Sequence, residues 1–150
     1  MRFRTVAATT FRIQNDLDQR VARKLSVLLV GEDWRTRRFI RTVLKYATEA
    51  AVMEAPYTDA AAFVAREAER PIDLLIVDVE SDDAAAGIEE IREIAAANPS
   101  MKVLLMSFRD DLACEIPAGW RYLSIPFPTT DFVDCVAELS RSASSRSSIR

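Results

Sequence analysis

Ile72-Asp73-Leu74-Leu75-Ile76-Val77-Asp78-Val79 is the stretch that decides the fold. Six of its eight residues are apolar and they do not alternate with polar ones. That is the pattern of a strand buried on both faces. Two further runs read the same way: Ser26-Val27-Leu28-Leu29-Val30, closed by Gly31 and acids, and Lys102-Val103-Leu104-Leu105-Met106. Ala51 to Ala55 and Arg121-Tyr122-Leu123-Ser124 read as two weaker strands. Helical patterns fall between them. Phe39, Ile40, Val43, Leu44 and Ala47 form one apolar stripe, with Arg37, Arg38, Arg41 and Lys45 mostly off it. After Pro56 a helix capped by Thr58 turns Phe63 and Val64 inward, and Ile88, Ile91, Ile94 and Ala95 keep helical period. Thr130 caps a last helix bearing Phe132, Val133, Val136 and Leu139. Strands and helices alternate at a spacing of roughly 20–27 residues, which predicts repeated βαβ units. The fold class is α/β, a doubly wound five-stranded parallel sheet with right-handed crossovers and helices on both faces.

Composition bounds the chemistry. The chain of 150 residues has length for one domain with a full core, assigned to residues 25–140. There is no His, which excludes Ser-His-Asp triads, Cys-His dyads and His-ligated metals. Three Gly leave no glycine-rich phosphate cradle, and Cys114 and Cys135 alone make neither a zinc cluster nor a disulfide framework. What remains is carboxylate, hydroxyl, Arg and Lys chemistry. The formal net charge of −3 is a sum of unlike parts: residues 1–24 carry +4, residues 139–150 carry +3 and the body carries −10. An acidic body argues against direct nucleic-acid binding. No apolar run is long enough for a membrane span or a signal sequence, and two free Cys suit a reducing cytoplasm. Phe11, Leu17, Val21 and Leu25 suggest a helix in the extension 1–24, for packing on the body or a homodimer contact. The Ser/Arg segment 141–150 reads as a disordered tail.

In a doubly wound sheet the active crevice lies beyond the carboxyl ends of the strands. Asp78 stands there, where the apolar run should continue. Glu32 and Asp33 end the first strand, so a three-carboxylate cluster with Asp78 suits a hard cation such as Mg2+. Equally, Glu32 and Asp33 supply negative charge to the N-terminus of the next helix, and Asp78 caps the following loop. Ser107 brings a hydroxyl to the end of the next strong strand.

This order of residues resembles a response-regulator receiver domain of two-component signalling, across residues 25–140. The resemblance implies the flavodoxin-like (βα)5 architecture of the CheY-like receivers. It implies that Asp78 accepts a phosphoryl group with Mg2+ bound by Glu32, Asp33, Asp78 and the Glu80 carbonyl. It further implies that Ser107 is the switch hydroxyl, Tyr122 the switch aromatic, and Pro126-Phe127 the pair that follows the fifth strand, with a cis bond at Ile125-Pro126. A sensor histidine kinase or phosphotransfer protein is the expected donor and a downstream protein the expected target.

The sequence departs from that pattern in ways that bear on function. Gly31 replaces the first acid of the pair, and Ile125 stands where the family has Lys. Arg35 and Arg109 are the candidate substitutes for that cation. The segment from Ser107 to Tyr122 is short and contains Pro117 and Gly119, so a full helix does not fit there. The expectation is therefore an atypical, stand-alone receiver, either phosphorylated on Asp78 or acting as an interaction module independent of phosphorylation. An Asp-nucleophile phosphatase using Asp78-Val79-Glu80 is the alternative from another class, and otherwise the chain is not an enzyme.

Overall fold

The structure, a computed structural model, describes residues 25–66, 71–79, 84–109 and 116–148. The expected N-terminal helix, the Glu80 carbonyl and Cys114 lie outside these residues.

The elements follow the order β1 (Ser26–Val30), α1 (Trp34–Ala47), β2 (Ala51–Ala55), a 3-10 turn (Tyr57–Asp59), α2 (Ala60–Arg66), β3 (Leu74–Asp78), α3 (Ala84–Ala97), β4 (Lys102–Ser107), β5 (Arg121–Ser124) and α4 (Thr129–Ser148). The five strands form one parallel sheet in the order β2-β1-β3-β4-β5. Val30 pairs with Ala55 on one side and Val77 on the other, so the strands end nearly level. Asp73 locks that alignment from below. Its carboxylate accepts from the Ser26 backbone N–H at 2.9 Å, and its own N–H donates to the Ser26 carbonyl at 2.9 Å. The two polar residues of the deciding stretch thus bracket β3, and the apolar residues between them are buried.

Alternation along the strands divides the core in two. Leu28, Val30, Leu75, Val77, Val103 and Leu105 face α2 and α3, meeting Val64, Ile88, Ile91 and Ile94. Val27, Leu29, Leu74, Ile76, Leu104 and Met106 face α1 and α4, meeting Ile40, Leu44, Phe132, Val136 and Leu139. Full burial of each such side chain contributes about 1.5–3 kcal/mol, enough to fix register wherever both faces are covered.

Four local expectations are corrected. Thr130 does not cap α4, because the helix already begins at Thr129. Phe39 does not join the inward stripe of α1 but stands 54% exposed, because Ile40, Val43 and Leu44 complete that contact. Thr58 caps no helix: Pro56 holds the extended conformation directly before the 3-10 turn, which places Thr58 inside that turn. The Ser/Arg segment continues α4 to Ser148 rather than leaving the helix near residue 141, with no Gly or Pro to stop it. The described residues between β4 and β5 contain no helix, and Gly119 there has φ +92, a left-handed turn that glycine tolerates without strain.

Candidate functional site

The chain leaves β1 to build β2 on one side, then returns to build β3 on the other. A crevice opens where this reversal occurs, beyond the carboxyl ends of β1 and β3. Asp78 is the last residue of β3 and 3% exposed, with both carboxylate oxygens shielded from solvent. Gly31 faces it across the crevice. A Cβ built on Gly31 would lie 3.1 Å from the Asp78 Cβ and 3.8 Å from its Oδ2. Any side chain at this position would press on Asp78, and the φ of Gly31 is not positive.

The acids expected to join Asp78 have different fates. Glu32 is exposed at the mouth of the crevice. Asp33 is the N-cap of α1: Oδ1 accepts from the Arg35 N–H at 2.9 Å and Oδ2 from the Thr36 hydroxyl at 3.2 Å. The helix-end reading of Asp33 is the one the geometry takes. Among the described residues, no three His, Cys, Asp or Glu side chains gather as a metal-binding group. Gly31 offers no oxygen to the expected carboxylate cluster, Asp33 is engaged at the helix, and Glu80 lies outside the described residues.

Ser107 ends β4, is fully buried, and pairs with Ser124 of β5. Its Oγ accepts from the Arg109 N–H at 3.1 Å. The Tyr122 hydroxyl donates to the Arg109 carbonyl, and its ring packs against the α2/α3 core. Ser107 and Tyr122 are therefore joined twice, through Arg109 and by a direct hydrogen bond from the Tyr122 hydroxyl to the Ser107 carbonyl at 3.5 Å. The Ile125-Pro126 peptide is cis, and Ile125 packs on the α1/α4 core. Phe127 stacks on Phe132 with ring centroids 5.7 Å apart.

Both expected substitute cations stand at the surface. The Arg35 guanidinium lies 5.7 Å over the Trp34 ring, and Arg109 is exposed. Arg37 reaches the crevice edge, where it donates to the Gly31 carbonyl and pairs with Glu54 at 3.3 Å. One turn of α1 separates it from Asp33, a spacing the charge pattern contained but did not single out.

Tyr57 was also not apparent from the sequence. It lies two residues beyond the end of β2, next to β1 in the sheet, and its ring packs on Gly87 of α3. A Cβ on Gly87 would meet the Tyr57 hydroxyl at 3.7 Å. The hydroxyl oxygen is buried and has no hydrogen-bond partner among the described residues. Burial pushes its phenol above the ordinary range, and the negative charges of Asp78, Glu32 and Glu90 push it further. The signal that could have found it is its place at a strand end, the criterion applied to the four other strands.

No family model and no curated protein sequence matches this chain. Solved structures do. A two-component transcriptional regulator AraC from Clostridium phytofermentans ISDg is 19% identical, with a TM-score of 0.68 over 85% of this chain and 100% of that one. A response regulator receiver protein from Sinorhizobium medicae WSM419 is 17% identical, with a TM-score of 0.68 over 80% and 97%. A response regulator from Thermotoga maritima is 24% identical, with a TM-score of 0.67 over 79% and 98%. No helix among the described residues is long and apolar enough to cross a membrane. With its strand order, its carboxylate at the end of β3 and these likenesses, the chain has the fold of a CheY-like response-regulator receiver domain.

Proposed function

We propose that this protein is a receiver in two-component signalling and that Asp78 is its phosphoryl acceptor. The observation that carries the reading is a carboxylate buried at the end of an otherwise apolar central strand. Burying such a group costs several kcal/mol unless its surroundings compensate, so its retention there points to chemistry rather than to packing. In the reaction, an Asp78 carboxylate oxygen attacks the phosphorus of a phosphorylated donor. The donor's bond to phosphorus breaks, its leaving group takes the electron pair, and Asp78 becomes an acyl phosphate. The donor is a histidine kinase or phosphotransfer protein, since this chain has no His to carry the group itself.

Ser107 accepts the Arg109 N–H and keeps its own O–H to offer a phosphoryl oxygen. Movement of Ser107 toward that oxygen draws on Arg109, whose carbonyl holds the Tyr122 hydroxyl. That chain of contacts is the route by which the modified state reaches the β4–β5 surface and a downstream protein. A phosphorylation-independent interaction module is the second reading. Ile125 in place of a cation and Gly31 in place of an acid favour it.

The test is incubation of the whole chain with Mg2+ and a small acyl phosphate, followed by intact mass. A species heavier by one phosphoryl group, absent in Asp78→Ala, supports acceptance. No such species, under conditions that modify a control receiver, leaves the interaction module.

A further inference from the structure

A crevice that takes up a phosphoryl group must supply hydrogen-bond donors to its oxygens. At Ile125 this chain lacks the family's cation, so some other donor is needed. Arg37 is held by the Gly31 carbonyl and Glu54, and the Tyr122 hydroxyl is held by the Arg109 carbonyl. Tyr57 is different. Its O–H is buried against Gly87, donates to no described residue, and lies within electrostatic reach of Asp78 and Glu32. A buried hydroxyl left without a partner costs stability, and such groups are scarce in folded proteins. Position argues the same way. β2, β1 and β3 are adjacent and end nearly level, so Tyr57, two residues past the end of β2, sits at the same end of the sheet as Gly31 and Asp78. The lowered acidity of the phenol also matters, because a phenol held neutral among carboxylates remains a donor.

We propose that the Tyr57 hydroxyl is the donor that receives a phosphoryl oxygen on Asp78, in place of the absent lysine. This rests on Asp78 being the acceptor. In the unmodified protein the hydroxyl meets no acceptor among the described residues. As the bond from Asp78 Oδ to phosphorus forms and the donor's bond to phosphorus breaks, negative oxygens enter the crevice and Tyr57 donates to one of them. No proton changes owner in this step: the phenol stays protonated and only hydrogen-bonds. Ser107 supplies a second donor from β4, so the transferred group is held between two hydroxyls from opposite sides of β3.

The experiment compares wild type, Tyr57→Phe and Asp78→Ala, each as the whole chain. Labelling by acetyl phosphate with Mg2+ is followed by intact mass, and melting temperature is recorded in parallel. Tyr57→Phe keeps the ring on Gly87 and removes only the hydroxyl. The expected result is labelling slowed on the order of 10–100-fold with the melting temperature unchanged or raised. Labelling of Tyr57→Phe at the wild-type rate or faster overturns the role of Tyr57 while Asp78 stands as acceptor. Slower labelling accompanied by a fall of several degrees in melting temperature assigns the effect to structure and also overturns it. Absence of labelling in wild type removes Asp78 as acceptor, and the role of Tyr57 with it.

Discussion

Gly31 and Asp78 meet so closely that a Cβ on the glycine would stand 3.1 Å from that of the aspartate. Gly31→Ala therefore forces one of them to give by a few tenths of an ångström, at an expected cost of about 1–3 kcal/mol. Gly31→Asp costs more than Gly31→Ala, because it adds a carboxylate beside one already buried. Urea denaturation of both variants gives the ranking. An equal or smaller loss for the aspartate shows that the crevice has room for a second acid.

Asp33 behaves as a helix cap. Asp33→Ala is expected to lose about 1 kcal/mol of stability, whereas Asp33→Asn keeps the acceptor oxygen and loses only a few tenths. Labelling of Asp33→Asn by acetyl phosphate should match wild type in both rate and Mg2+ dependence. A changed Mg2+ dependence in Asp33→Asn contradicts the capping role.

Asp73 ties the start of β3 to Ser26 of β1 through two hydrogen bonds of 2.9 Å. Asp73→Ala leaves the Ser26 N–H without its carboxylate and should cost about 1.5–3 kcal/mol, with Asp73→Asn recovering part of it. Chemical denaturation of the pair measures this, and equal stability of all three proteins contradicts it.

Tyr57 predicts an alkaline signature. Its phenol is raised in the folded state by burial and by Asp78, Glu32 and Glu90. Above an ordinary phenol value of about 10 the unfolded chain releases a proton that the native state keeps. Its contribution is whole below that pH and is lost as pH climbs toward the raised native value, at up to about 1.4 kcal/mol per unit. Tyr57→Phe lacks this part of the decline. Urea midpoints of both proteins from neutral pH to pH 11 should therefore diverge only on the alkaline side, and a constant offset contradicts the shift.

Much of this architecture was legible from side-chain pattern alone. The runs at Ser26–Val30, Leu74–Asp78 and Lys102–Ser107 are apolar throughout because both faces of a parallel sheet are covered. Asp78 stood out as a charge that such a run excludes. Other features depend on geometry that sequence does not encode at short range. Phe39 fits the helical stripe by spacing, yet the width of the stripe is set by how far α1 sits from the sheet. Asp33 is chemically able to cap or to ligate, and only its placement before Trp34 decides between them. Tyr57 carries no charge and belongs to no strong strand, so only the packing of its ring on Gly87 reveals where the hydroxyl goes.

The two outer strands of the sheet have one property in common. β2 runs only from Ala51 to Ala55 before Pro56, and β5 only from Arg121 to Ser124 before Ile125-Pro126. Proline has no N–H, so neither border can be extended past those points by backbone pairing. A foreign strand arriving at either side finds at most five residues to zip against. Any strand added at either border thereby stops short of the prolines, leaving the loops at those strand ends outside the ladder.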